Sequence, residues 1–255
     1  MNIKIIVATH KKYWMPTDRI YVPIHVGAAI NQNDFGYIKD NTGDNISHKN
    51  ANYCELTALY WAWKNLSADY VGMVHYRRYF SKRNVFSSKK NRIIDKKTIE
   101  SLLADSPVIV PKPRNYWIET NYSQYSHAHH AIDLDTTRII IQEKYPKYIK
   151  AYDDVMEATK GHRFNMFIMR KDYFNNYCEW LFDILFELEN RLDISSYSKN
   201  DARVFGFVSE RLLDVWLNTN HIGFKDCPYV FIEKQNWLIK GIDFLKRKIK
   251  GSVKR

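Results

Sequence analysis

Two apolar runs that each break off into polar residues constrain this chain more than any other feature. Ile3-Lys4-Ile5-Ile6-Val7-Ala8 ends in Thr9-His10, and Asp69-Tyr70-Val71-Gly72-Met73-Val74 ends in His75-Tyr76-Arg77-Arg78. Short runs of this kind, rich in β-branched residues, predict strands buried on both faces. Between them Tyr53, Leu56, Tyr60 and Trp63 recur at helical spacing behind Asn52 and Glu55, a weak capping box, which predicts a helix over 53–65. A second short apolar stretch covers 21–26, a helix is expected over 97–104, and Pro107-Val108-Ile109-Val110 reads as a further strand that Pro111 stops. Strands alternating with helices predict an open α/β sheet, and ligands bind such sheets at the carboxyl ends of the strands.

The remaining segments are read by composition and period. Residues 31–52 are polar and turn-rich, and 115–135 are rich in Tyr and His with little periodicity, so both read as loops. A helix is expected over 136–159, a strand over 164–169, a long helix over 171–191 with Phe174, Tyr177, Leu181, Leu185 and Leu188 on its buried face, and a last helix over 201–217. A chain of 255 residues, 45% of them hydrophobic, can bury one substantial core, which assigns one main domain to 1–232 and a short appendage to 233–255.

The formal net charge of +11 suits nucleic acid, anionic lipid or a phosphorylated substrate, and its placement separates these. From Trp237 to Arg255 there are seven Lys and Arg against the single acid Asp243, while Trp237, Leu238, Ile242, Leu245 and Ile249 fall at helical spacing. This is the pattern of a basic amphipathic helix lying in an anionic membrane interface, where each Lys or Arg adds about 1 kcal/mol; the competing reading is a solvated helix packed on the domain. No N-terminal signal pattern and no apolar run of about 18 uncharged residues occurs, so a cytoplasmic protein peripheral on the inner face of the membrane is expected. Cys54, Cys178 and Cys227 form no C-x-x-C pair, which fits a reducing compartment.

Chemistry concentrates at His75-Tyr76-Arg77-Arg78. Adjacent guanidinium groups and an imidazole at a ligand-binding edge suit an anion, since arginine presents a planar fork of donors that matches phosphate oxygens. In a continuing strand His75 and Arg77 would share one face; the alternative is a solvated strand end held in ion pairs. His127, His129 and His130 with Asp133 and Asp135 are a candidate metal cluster for a hydrolase, or else a ligand-binding or structural loop in which Tyr122, Tyr125 and Trp117 offer flat apolar faces. A single-stranded nucleic-acid module would share the basic and aromatic composition, but the charge is concentrated in the tail and no helix-turn-helix, zinc or RNA-recognition signature is present, so no nucleic-acid partner is expected.

Four ordered blocks carry a resemblance. Asp44-Asn45-Ile46-Ser47 with Lys49-Asn50, then Cys54-Glu55-Leu56-Thr57-Ala58-Leu59-Tyr60-Trp61, then His75-Tyr76-Arg77-Arg78-Tyr79-Phe80, and Phe205-Gly206-Phe207-Val208-Ser209-Glu210-Arg211-Leu212 together resemble a family of small bacterial capsular and exopolysaccharide glycosyltransferases, long known only as a domain of unknown function. The resemblance covers roughly residues 3–232 and implies a GT-A-like fold, one Rossmann-type mixed sheet flanked by helices. It implies hexosyl transfer, galactopyranose or galactofuranose, from a UDP-sugar to a lipid-linked glycan, an undecaprenyl-diphosphate-linked acceptor. It places Thr9, His10 and Lys11 near the nucleotide, with Asp40, Asp44, Asn45 and Lys49 beside them. Where GT-A enzymes carry Asp-x-Asp for a metal, this chain has His75-Tyr76-Arg77-Arg78, so the expected donor site neutralises the diphosphate directly, without metal or other cofactor. Inverting transfer needs a general base; Glu210 is the first candidate, with Asp133 and His130 in reserve. Asn165 followed by Met166 loosely matches a stretch that lines the acceptor side, and Tyr125 and His127 are placed with them.

Overall fold

A computed structural model describes residues 1–84 and 86–233. The basic amphipathic segment expected from Trp237 onward lies outside the described residues, as does the 233–255 appendage apart from Glu233.

The first apolar run is β1 (Ile3–Thr9), followed by β2 (Tyr21–His25) and the two-residue β3 (Ile38–Lys39). A short helix α1 (Asn50–Tyr53) leads into α2 (Leu56–Asn65), then β4 (Tyr70–His75), β5 (Arg78–Phe80), α3 (Lys96–Asp105), β6 (Val108–Pro111) and β7 (Arg114–Asn115). Three helices follow, α4 (Asn121–Ala128), α5 (Ala131–Lys144) and α6 (Ile149–Glu157), then β8 (Lys160–Gly161) and β9 (Phe167–Arg170). The chain closes with α7 (Lys171–Arg191), α8 (Val204–Thr219), β10 (Lys225–Cys227) and β11 (Tyr229–Phe231).

The main sheet runs in the order β10-β6-β9-β4-β1-β2-β3, with β5 and β11 attached beside β4. β1 pairs in parallel with both β2 and β4, whereas β9 runs antiparallel between β4 and β6, so the sheet is mixed. One face is covered by α2, α5, α6, α7 and α8, whose buried side chains form a single aromatic-rich core with Ile6, Val71, Met73 and Phe167; α3 covers the other face through Ile99 and Leu103 against Ile5, Val7 and Val74. This Rossmann-type mixed sheet flanked by helices is the architecture expected from the sequence. Gly72 is required by packing, because a Cβ there would sit 2.9 Å from Ile168 and 3.0 Å from the Phe167 carbonyl on the neighbouring strand.

Several local expectations are corrected. The helix expected over 53–65 is broken at Cys54, whose φ of 52° lies in the left-handed region; Asn52 donates to the Ala202 carbonyl at 2.7 Å instead of capping. Residues 115–135 are not one loop: Thr120 and Ser123 form a reciprocal capping box that starts α4. The helix expected over 136–159 is two helices, because Pro146 cannot continue α5 and begins a 3-10 turn instead. The strand expected from 164 starts only at Phe167, since Phe164 and Asn165 both have positive φ. The strands missed, β3, β5, β7, β8, β10 and β11, are two or three residues long, too short to show a period.

Candidate functional site

β2 lies on one side of β1 and β4 on the other, so the chain leaves β1 in opposite directions and opens a crevice above the carboxyl ends of β1 and β4. A cleft of about 550 Å³ occupies it, with Thr9 and His10 from β1, His75 to Arg78 from the β4–β5 connection, Glu55 from the start of α2, and Arg203, Phe207 and Glu210 from the start of α8.

The strand does not continue through His75-Tyr76-Arg77. The chain reverses there, and His75 pairs across the hairpin with Arg78. His75 and Arg77 therefore do not share a strand face as expected, although both line the cleft. Arg78 stacks on Phe164 at 4.3 Å and Phe231 at 5.1 Å, and its Nε is buried with no hydrogen-bond partner. Arg77 is nearly half exposed and pairs with Glu233 at 3.3 Å. Arg203 donates through Nε to Cys54 Sγ at 3.1 Å and lies over Phe207. Burial pushes the Cys54 thiol up to about 11, leaving it a neutral acceptor for that guanidinium.

Opposite these three guanidinium groups stand two carboxylates. Glu55 accepts from Asn165 Nδ2 at 2.8 Å and lies 4.0 Å from His75 Nε2. Glu210 approaches Arg211 Nη1 at 3.6 Å from a side chain that is one-fifth exposed. Beneath them, the paired left-handed residues Phe164 (φ 77°) and Asn165 (φ 50°) form the floor: the Phe164 carbonyl accepts from His75 Nε2, and Asn165 donates to Glu55 and to the Gly206 carbonyl while accepting from Ser209. Two consecutive non-glycine residues in this region are costly, and the four hydrogen bonds are what hold them there. Burial, opposed by Glu55, holds His75 below its ordinary value, so the imidazole is neutral with its proton on Nε2. His10 is also lowered, by burial and by the neighbouring Lys11 and Arg77.

Of the residues expected at the site, the structure brings together Thr9, His10, His75, Arg77, Arg78 and Glu210, with Asn165 directly behind Glu55. Lys11 sits at the rim, its Nζ 5.3 Å from the Tyr76 ring. The others are placed elsewhere. Asp40 is fully buried and accepts from the backbone of Gly27 and Ala28 and from the hydroxyls of Ser47 and Thr57. Asp44 accepts from Tyr60, Asn45 bridges Gly43 and Ser47, and Lys49 is paired with Glu189 at 2.6 Å. Asp133 is buried and accepts from Tyr125 at 2.7 Å and Tyr197 at 2.6 Å, while burial raises its carboxyl above the usual range. His127 bonds Glu119 at 2.7 Å, whereas His129 bonds Asp201 at 3.0 Å and His130, stacked on Tyr197, lies 3.9 Å from the same carboxylate, so two of the three imidazoles share a partner and His127 stands apart. Among the described residues, no group of three or more His, Cys, Asp or Glu side chains is placed to hold a metal ion. Met166 is buried in the core beneath the sheet.

Sequence reasoning missed Glu55 and Arg203 at the cleft. Glu55 was legible as a helix-start residue and as part of a block of the resemblance but was given no role at the site, and Arg203 sits 126 residues beyond Arg77 with no local signal to connect them.

The fold is similar to that of a solved protein described as the WbbM bifunctional glycosyltransferase in its apo state, with a TM-score of 0.85 and 33% sequence identity over 92% of this chain. The chain spans about half the length of that protein, 46% of it. No curated protein sequence matches the chain. A family described as a domain of unknown function, DUF4422, matches residues 4–221. That match runs from β1 to just beyond α8 and so takes in both walls of the cleft; the chain belongs to the DUF4422 family.

Proposed function

We propose that this domain is a glycosyltransferase that moves a hexose, galactopyranose or galactofuranose, from a UDP-sugar to a lipid-linked glycan, an undecaprenyl-diphosphate-linked acceptor, with inversion and without a divalent cation. The observation that carries the proposal is the cleft itself: Arg77, Arg78 and Arg203 face Glu55 and Glu210 at the switch point of a sheet that resembles a bifunctional glycosyltransferase.

In this reading the diphosphate lies over the β4–β5 hairpin. Arg78 is held by two aromatic rings and has an unspent buried N–H, which suits a fixed donor to the charge that grows on the leaving phosphate. Arg77 and Arg203, more exposed, close on the same anion. The nucleoside sits toward Thr9, His10, Lys11 and Tyr76. Glu210 takes the proton from the acceptor hydroxyl as that oxygen attacks the anomeric carbon and the bond to the diphosphate breaks. Glu55, braced by Asn165, is the second carboxylate able to hold the sugar or take that proton. A strand end with guanidinium groups in place of carboxylates supports neutralising the diphosphate without metal. The basic sequence 237–255 would attach the protein to the cytoplasmic face of the membrane, where the acceptor resides.

The test is a thermal-shift and calorimetric screen against UDP, other nucleoside diphosphates and UDP-sugars, with manganese or with EDTA. Saturable stabilisation by UDP or a UDP-sugar that survives EDTA is expected. No response to any nucleotide under either condition overturns the proposal.

A further inference from the structure

We infer that the loop carrying Trp117 and Ile118 is a membrane wedge that seats the cleft against an anionic bilayer surface, an inference that rests on the lipid-linked acceptor proposed above. The loop joins β7 to α4. Trp117 is 81% exposed and Ile118 60% exposed, side by side at its tip. Single exposed apolar residues are ordinary, but an adjacent tryptophan and isoleucine turned outward together are not. Trp117 also has a φ of 59°, a left-handed conformation that bulky side chains avoid. The flanking residues impose it. Tyr116 and Glu119 are both buried, Glu119 accepts from His127 at 2.7 Å, and Asn115 Oδ1 accepts from the Trp117 N–H at 2.9 Å. The two apolar side chains are thus thrust out between two anchors.

The surroundings specify an anionic surface. Arg114 and Lys160 are exposed, the β7–β8 register sets Lys160 opposite Asn115, and Arg114 lies over the Tyr116 ring at 5.1 Å, so two cations flank the base of the tip on the β7–β8 side, away from Glu157, which lies beyond Thr120. Glu119, the only acid between 112 and 120, is turned inward. An indole with an aliphatic neighbour beside Arg114 and Lys160 is the chemistry of a headgroup boundary: the apolar tip enters the acyl region and the cations meet lipid phosphates.

The loop also adjoins the cleft. Tyr116 lies against the Arg163 guanidinium, which donates to the carbonyl of Glu210 at 3.3 Å. Seating this side on a bilayer brings the cleft to an acceptor whose lipid remains in the membrane.

The test uses the full chain and flotation with phosphatidylcholine vesicles, with and without phosphatidylglycerol. Wild-type protein should float with the anionic vesicles only, and Trp117→Ser/Ile118→Ser should lower the bound fraction by about tenfold or more while keeping the thermal shift given by UDP. Equal binding by the double variant, equal binding to vesicles without phosphatidylglycerol, or no binding by wild type overturns the inference, as does a wild-type dimer that the double variant loses, which would assign the tip to a second copy of the chain. Should the double variant fail to fold, Trp117→Phe serves instead: brominated lipids should quench a component of tryptophan emission in wild type that this variant lacks, and identical quenching overturns the inference. Vesicle binding without any nucleotide response in wild type would sink the proposed transfer reaction and leave the membrane surface standing.

Discussion

At the residue scale, the cleft separates groups of the same type by what holds them. Arg78 is clamped between Phe164 and Phe231 with a buried Nε left over, whereas Arg77 is solvated and already paired with Glu233. Arg78→Ala should therefore weaken UDP binding by about 10- to 100-fold in calorimetry, the loss of one charge-assisted hydrogen bond, and Arg78→Lys should not restore it, because an ammonium cannot stack as a planar fork does. The effect of Arg77→Ala should be smaller. Glu210→Gln should lower kcat by about 10²- to 10⁴-fold with UDP binding retained, as removal of a general base predicts; a variant with wild-type kcat would transfer that role to Glu55. The sequence made the arginines conspicuous, but not which of them is clamped, since the clamp uses a residue 86 positions after Arg78 and another 153 after it.

At the scale of elements, Asp40 shows how a residue that a family resemblance places at a site can instead act on the fold around it. Its carboxylate gathers the start of the loop after β2, the 3-10 turn beginning at Ser47 and the first turn of α2 into one buried knot. Asp40→Ala would leave the Gly27 and Ala28 N–H groups and the Ser47 hydroxyl without this acceptor, while the Thr57 hydroxyl can still reach the Cys54 carbonyl at 3.1 Å, and urea denaturation should show a loss of about 3–5 kcal/mol, each unsatisfied buried group costing about 1–3 kcal/mol and the terms not adding fully. Long elements were legible because their period repeats: α7 covers the range its apolar spacing predicts. The breaks were not. Cys54, Phe164 and Asn165 adopt left-handed backbone without being glycine, and no local propensity signals a conformation that distant hydrogen bonds enforce.

Across the whole molecule, one histidine ties the edge strand β10 to α8. His162 bonds Asp214 on α8 through Nδ1 and Asp226 on β10 through Nε2 at 3.0 Å. Burial opposes its protonation, yet the two carboxylates outweigh burial and raise it above its ordinary value of 6.5. A histidine raised on folding contributes stability that is complete below the unfolded value and is lost as pH rises through the folded one. The Tm of wild type should therefore decline from about pH 6.5 upward more steeply than that of His162→Gln in a calorimetric pH series, and parallel curves would show that the imidazolium does not fasten this edge.

What the sequence determined by itself is the layered α/β plan and the chemistry at one strand end. Apolar runs such as Ile3 to Ala8 admit no other burial, and His75-Tyr76-Arg77-Arg78 must follow wherever that strand stops. Tertiary structure alone decided that the strand turns back at Tyr76, that Glu55 and Arg203 join the cleft, and that Asp40, Lys49 and Asp133 are occupied elsewhere. The reason is physical: local pattern fixes which face of an element is apolar, but the partner a polar group finds depends on contacts between segments tens to more than a hundred residues apart.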